Sequence, residues 1–76
     1  MVLSDLKAKD ECEIVDIKLQ GKMLKRILEM GLVPKTKISV CSVAPKKRTI
    51  LISVRGYLLA MSEDICNQIE VKKVGG

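Results

Sequence analysis

Apolar and polar residues alternate along several stretches of this chain and follow a helical period in one. Cys12 to Leu19 is rich in β-branched residues and predicts a strand. Its alternation slips at Ile14-Val15, the mark of a β-bulge. From Lys22 to Met30 the period changes. Met23, Leu24, Ile27 and Leu28 recur at i, i+3 and i, i+4, which predicts a short helix with one buried apolar stripe. Lys22, Lys25, Arg26 and Glu29 fall on the opposite face. The helix end is marked by Gly31, which suits the left-handed residue after a helix, by Leu32, which can fold back onto Ile27, and by Pro34, which stops further winding.

Period two returns at residues 37–44 and 49–55, where Ile38 and Val40, then Ile50, Ile52 and Val54, share one face. Between these strands Ala44-Pro45-Lys46-Lys47-Arg48 predicts a charged hairpin tip. Arg55-Gly56-Tyr57 predicts a tight turn, Leu58 to Met61 a short buried strand, and Ser62 the cap of a brief helical turn with Glu63 and Asp64 at its positive end. Ile69 to Val74 closes as the last strand, leaving Gly75-Gly76 as a loose end. The expected fold is a single domain over 1–74, mainly β with one or two short helices, forming a small partly open barrel. Local pattern does not fix the strand order.

Composition narrows the function more than the fold. The 76 residues are 47% apolar and 30% charged, which suits one globular domain and not a disordered chain. No apolar run is long enough to span a membrane. The first residues lack a basic region followed by an apolar stretch, so no signal peptide is expected and the cytoplasm is the expected location. The chain has no His, which removes the commonest general base and the commonest metal ligand. No glycine-rich phosphate loop is present. A binding module is therefore expected, with no catalytic residue.

Cys12, Cys41 and Cys66 are widely spaced, with no C-x-x-C pair. A zinc site normally takes four N or S ligands. The plainer reading is three small buried apolar residues in a reducing compartment, so no tight zinc or ferrous iron site and no cofactor are expected.

Charge is unevenly placed. Residues 1–19 hold five acids and three bases, a net of −2, while residues 20–58 hold nine bases and only Glu29, a net of +8. Residues 59–76 hold three acids and two bases, which completes the overall +5. Such a basic middle fits an acidic protein surface, anionic lipid or nucleic acid. A solvated face that keeps a small protein soluble explains it equally well. Nucleic acid is the weaker of the partner readings, because stacking platforms use several aromatics and Tyr57 is the only one here.

Taken in order, these residues resemble the FeoA family, small SH3-like proteins of bacterial ferrous iron uptake. The resemblance begins at Leu3-Ser4-Asp5-Leu6-Lys7 and runs through Gly21, Leu24 and Arg26. Its most specific part is the run from Leu28 to Thr36, with Met30, Gly31, Leu32 and Pro34. It resumes at Ala44-Pro45, at Ile50, Ile52 and Val54, at Arg55-Gly56-Tyr57 with Leu59-Ala60, and at Asn67, Ile69 and Val71. The chain departs from the family's usual pattern in its turns. Ala8-Lys9 and Pro34-Lys35 stand where the family often has Pro-Gly, and Lys46-Lys47-Arg48 stands where its hairpin tip is often acidic.

The resemblance implies an SH3-like barrel and a cytoplasmic accessory role toward FeoB, the membrane ferrous iron transporter with a GTP-binding domain. The same module resembles the C-terminal domain of iron-dependent repressors, whose DNA-binding and metal-binding parts have no counterpart here. Ferrous iron then belongs to the transport system, with no ligand set for it in this chain. The residues expected to meet the transporter's cytosolic domain, or anionic inner-membrane lipid beside it, are Lys22, Lys25 and Arg26 with Lys46, Lys47 and Arg48. Gly31, Leu32, Pro34, Gly56 and Tyr57 are expected to shape the fold.

Overall fold

Five short strands pair antiparallel into one open sheet in a computed structural model that describes residues 1–44 and 48–74. A 3-10 turn at Leu3–Asp5 precedes β1 (Glu11–Ile17) and α1 (Gly21–Glu29). Then come β2 (Lys37–Ala44), β3 (Thr49–Val54), β4 (Tyr57–Ser62), α2 (Glu63–Cys66) and β5 (Ile69–Val74). Their order across the sheet is β4-β3-β2-β1-β5. The meander β2-β3-β4 is local, whereas β1 sits between β2 and the distant β5. The expected tip residues Pro45, Lys46 and Lys47, and the loose end Gly75-Gly76, lie outside the described residues.

Strand alternation turns one face inward. Cys12, Ile14, Ile38, Val40, Ile50, Ile52, Val54, Ile69 and Val71 are buried and form one cluster with Leu3, Leu6, Ile27, Leu32, Met61 and Cys66. The slip at Ile14-Val15 is a bulge: Ile14 faces Val71 and Asp16 faces Glu70, so Val15 has no partner and turns outward. A second bulge interrupts β2, where Val40 faces Ile52 and Ser42 faces Leu51. It leaves Cys41 exposed, contrary to the expectation that all three thiols are buried.

The helix end forms as its sequence predicts. Gly31 has φ +91°, its N–H donates to the Leu28 carbonyl, and the Leu32 N–H donates to the Ile27 carbonyl. These two bonds are a Schellman closure, and they bring Leu32 against Ile27 inside the core. Arg55 and Gly56, at φ +49° and +87°, give the hairpin turn the backbone twist that antiparallel strands favour. Ser62 caps α2 by accepting from the Ile65 N–H at 3.4 Å.

Two expectations fail, for one physical reason. The α1 stripe does not go inward as a whole: Ile27 is buried, Leu24 is half-buried, and Met23 and Leu28 stay about 40% exposed. Nor is β4 a buried strand, since Leu58 is 62% exposed and only Met61 reaches the core. Both elements stand at the open side of the sheet, where no further strand among the described residues covers them.

Candidate partner-binding face

The helix α1 places Arg26 favourably in its last turn, but its first turn is not arranged for electrostatic benefit. Its first turn carries Lys22 and no acid, although a helix N-terminus favours negative charge. Lys22 and Arg26 are like charges one turn apart, which costs an isolated helix a few tenths of a kcal/mol. Lys22, Lys25 and Arg26 are all exposed, and none forms an ion pair among the described residues.

Other cations are engaged. Arg48 pairs with Glu63, whose N–H also donates to the Arg48 carbonyl at 2.8 Å. Arg48 precedes β3 while Arg55 follows it, so the two lie at opposite ends of that strand. The expected six-residue basic cluster is therefore reduced. Its α1 members stand free, Arg48 is neutralised by Glu63, and Lys46 and Lys47 lie outside the described residues.

The residues expected to shape the fold gather at the end of α1. The Tyr57 hydroxyl donates to the Met30 carbonyl, tying the start of β4 to the last turn of the helix. The Arg55 side chain lies over Gly31, so close that a β-carbon there would stand 3.3 Å from its Cδ. Thr36 donates to the Gly31 carbonyl at 3.4 Å. Pro34 is exposed in the following turn, whose Lys35 N–H reaches the Ile14 carbonyl at 2.7 Å.

Between α1 and β4 runs an apolar groove of about 290 Å³, with Met23, Met30, Leu59, Met61 and Ile65 in its walls and Arg26 among them. Sequence periodicity missed this groove. The signal was present in β4, whose Tyr-Leu-Leu-Ala-Met-Ser run has no charge and no proline to guard an edge.

The thiols and acids offer no competing site. Burial pushes the Cys12 thiol up to about 11, with the nearby Asp10 charge adding to the effect, and burial alone pushes Cys66 up to about 12. Neither supplies a thiolate at neutral pH. Asp10 is held below its ordinary value by the Lys7 N–H and then by Lys73, and Asp16 by Lys18 and then the Ile17 N–H. Among the described residues no three acidic or thiol groups gather as a metal cluster would require. No helix there is long and apolar enough to cross a membrane.

An open five-stranded antiparallel sheet with two short helices defines a small SH3-like domain. The FeoA domain family matches residues 1–73, and the chain belongs to that family. It is 32% identical over 74 residues to the Fe(2+) transport protein A/Fe(2+) transporter FeoB fusion protein of Porphyromonas gingivalis. That alignment takes in 97% of this chain but only 9% of the fusion protein. The solution structure of a FeoA protein from Chlorobium tepidum superposes with a TM-score of 0.91 at 32% identity, covering 100% of this chain and 72% of that one. Iron(II) transport protein A from Clostridium thermocellum gives 0.92 at 28% identity, covering 100% and 47%.

Proposed function

We propose that this chain is a cytoplasmic accessory of ferrous iron uptake that works by binding the cytosolic part of a FeoB-like transporter. The observation that carries this reading is the fusion relative, in which a segment similar to nearly all of this chain is covalently joined to the transporter. Joining in one chain is a natural arrangement for two parts that work in contact. Lys22, Lys25 and Arg26, exposed and without an ion pair among the described residues, supply the surface. Ferrous iron is the cargo of that system, and this chain contributes contacts to the transporter and no ligands to the metal. A nucleic-acid partner has less support, since the Tyr57 hydroxyl is committed to Met30 and no other aromatic is present.

The test reverses all three cations, Lys22→Glu, Lys25→Glu and Arg26→Glu, and measures binding to the transporter's cytosolic domain at low and high salt. Melting should change little. Binding should weaken, chiefly through slower association, and depend less on salt. Equal binding by parent and variant at low salt would refute the proposed surface.

A further inference from the structure

The two edges of the sheet are treated differently. The outer edge of β5 is covered by the chain's own start, where Val2 bridges Glu70 and the Val71 N–H donates to the Met1 carbonyl at 2.9 Å. The outer edge of β4 has no such cover. The two-residue turn makes Val54 and Tyr57 the first pair of the β3-β4 ladder, and pairing continues without a shift to Thr49 and Ser62. Hydrogen-bonded and non-bonded pairs alternate along an antiparallel ladder. The backbone groups of Leu58 and Ala60 therefore point away from β3, and no backbone segment among the described residues meets them.

Natural sheets guard a bare edge with charge, proline or a bulge. Residues 57–62 use none of these. The inward side chains Leu59 and Met61 open directly into the groove beside α1. A strand laid along β4 would bond to Leu58 and Ala60 and send alternate side chains into that groove.

Charge selects the occupant. Arg26 is part of the groove wall, and Lys22 and Lys25 stand unpaired on the same helix. A second copy paired edge to edge would bring its own cations to the same junction, on a chain of net charge +5. We propose that the outer edge of β4 accepts, as a sixth strand, an extended partner segment whose groove-facing positions, every second residue, carry both apolar and acidic side chains. On that one face its apolar side chains fill the α1-β4 groove and its carboxylates meet Arg26 in the groove wall and Lys22 and Lys25 beside it. The inference rests on the partner-binding reading above and adds the manner of contact.

The probe, the Val-Glu peptide, is capped, about ten residues long, and alternates Thr with Val or Glu, so that Val and Glu share one face. It is compared with a Val-Lys counterpart and with a Val-Glu peptide carrying N-methyl groups on alternate amides. Amide exchange by NMR should show the Val-Glu peptide protecting Leu58 and Ala60. Both control peptides, and the Ala60→Pro variant of the protein, should bind at least about tenfold more weakly. Proline at 60 removes an outward N–H and leaves the β3 ladder intact. If that variant fails to fold, the N-methylated peptide makes the same test on the parent protein.

Absence of protection at about 1 mM peptide, or equal binding of the N-methylated form, would overturn the proposal. So would self-association of the free chain through these amides, or their protection by phosphatidylglycerol vesicles without any by the peptide. The transporter's cytosolic domain separates the two readings. If it binds parent and Ala60→Pro equally, the edge proposal falls and the accessory role stands. If it binds neither while the Val-Glu peptide protects the edge, the accessory role falls and the edge proposal stands.

Discussion

The β5 side and the β4 side of the sheet solve opposite problems with the same kind of strand. On the β5 side, Ile14, Ile69 and Val71 are at most 2% exposed, and Glu13 of β1 and Asp10 just before it meet the bases of β5. Lys72 stands 3.6 Å from Glu13 and Lys73 stands 3.4 Å from Asp10. On the β4 side Tyr57 and Leu58 are exposed, the α1 cations have no ion pair among the described residues, and a groove remains between helix and strand. A domain of this size has little stability to spare. Its core runs across all five strands, and the open part carries in addition apolar surface that the fold does not use.

The largest test of this contrast compares two truncations by urea denaturation. Ile14→Ala, at a fully buried position, should cost about 2–5 kcal/mol, enough to unfold much of the population. Leu58→Ser, at a 62% exposed position, should stay within about 0.5 kcal/mol of the parent. A comparable loss at Leu58 would mean that the open side is part of the core.

The joint between the two regions comes next. Gly31→Val should destabilise by about 1–3 kcal/mol, because φ is +91° and the new β-carbon presses on Arg55. An unchanged melting curve would show that α1 is not fixed through this residue.

Smaller and of opposite sign is the effect of two lysines. Lys9 and Lys35 have φ of +76° and +74°, a conformation costing an L side chain roughly 1–2 kcal/mol. Each is held there by its backbone, Lys9 N–H to the Val40 carbonyl and Lys35 N–H to the Ile14 carbonyl, both at 2.7 Å. Lys9→Gly and Lys35→Gly should each gain about 0.5 kcal/mol after glycine's own entropic cost, raising the melting temperature by about 2–4 °C.

The smallest effect on stability is a labelling pattern. At pH 8 a thiol reagent should modify Cys41 alone, with Cys12 and Cys66 reacting only on unfolding. Their raised values also set an alkaline limit. The contribution of the buried neutral thiols is intact below their ordinary value of 9.0 and is lost as pH rises toward about 11 and 12. Prompt reaction at all three cysteines would contradict the sealed core.

What was legible in the chain was local. Period-two alternation placed β2, β3 and β5, the slip at Ile14-Val15 placed a bulge, and Gly31 with Leu32 placed the helix end. The departures at Lys9 and Lys35 were legible as changes in turns, while their positive φ emerged only in the structure. Depth was not legible. A stripe of four apolar residues on α1 describes a buried helix and a groove-lining helix equally well, and only the absence of a neighbouring strand decides between them. The candidate site was half legible for the same reason. Exposure of Lys22, Lys25 and Arg26 follows from helical period, but the neutralising of Arg48 by Glu63 depends on a tertiary contact across the turn into α2. The groove depends on strand order, which no window of neighbouring residues contains.

The bond from Val71 to Met1 has a kinetic consequence. It joins residues separated by nearly the whole chain, whereas β2, β3 and β4 follow one another through short connections. Loop-closure entropy makes the distant β1-β5 pairing the slow event, and the meander can order before it. The sealed edge is then the last to form and the open edge belongs to the early nucleus. In folding kinetics, substitutions at Ile69 or Val71 should mainly accelerate unfolding, while those at Ile50 or Ile52 should slow folding. The strand left bare in the finished protein is thus one of the first to find its place.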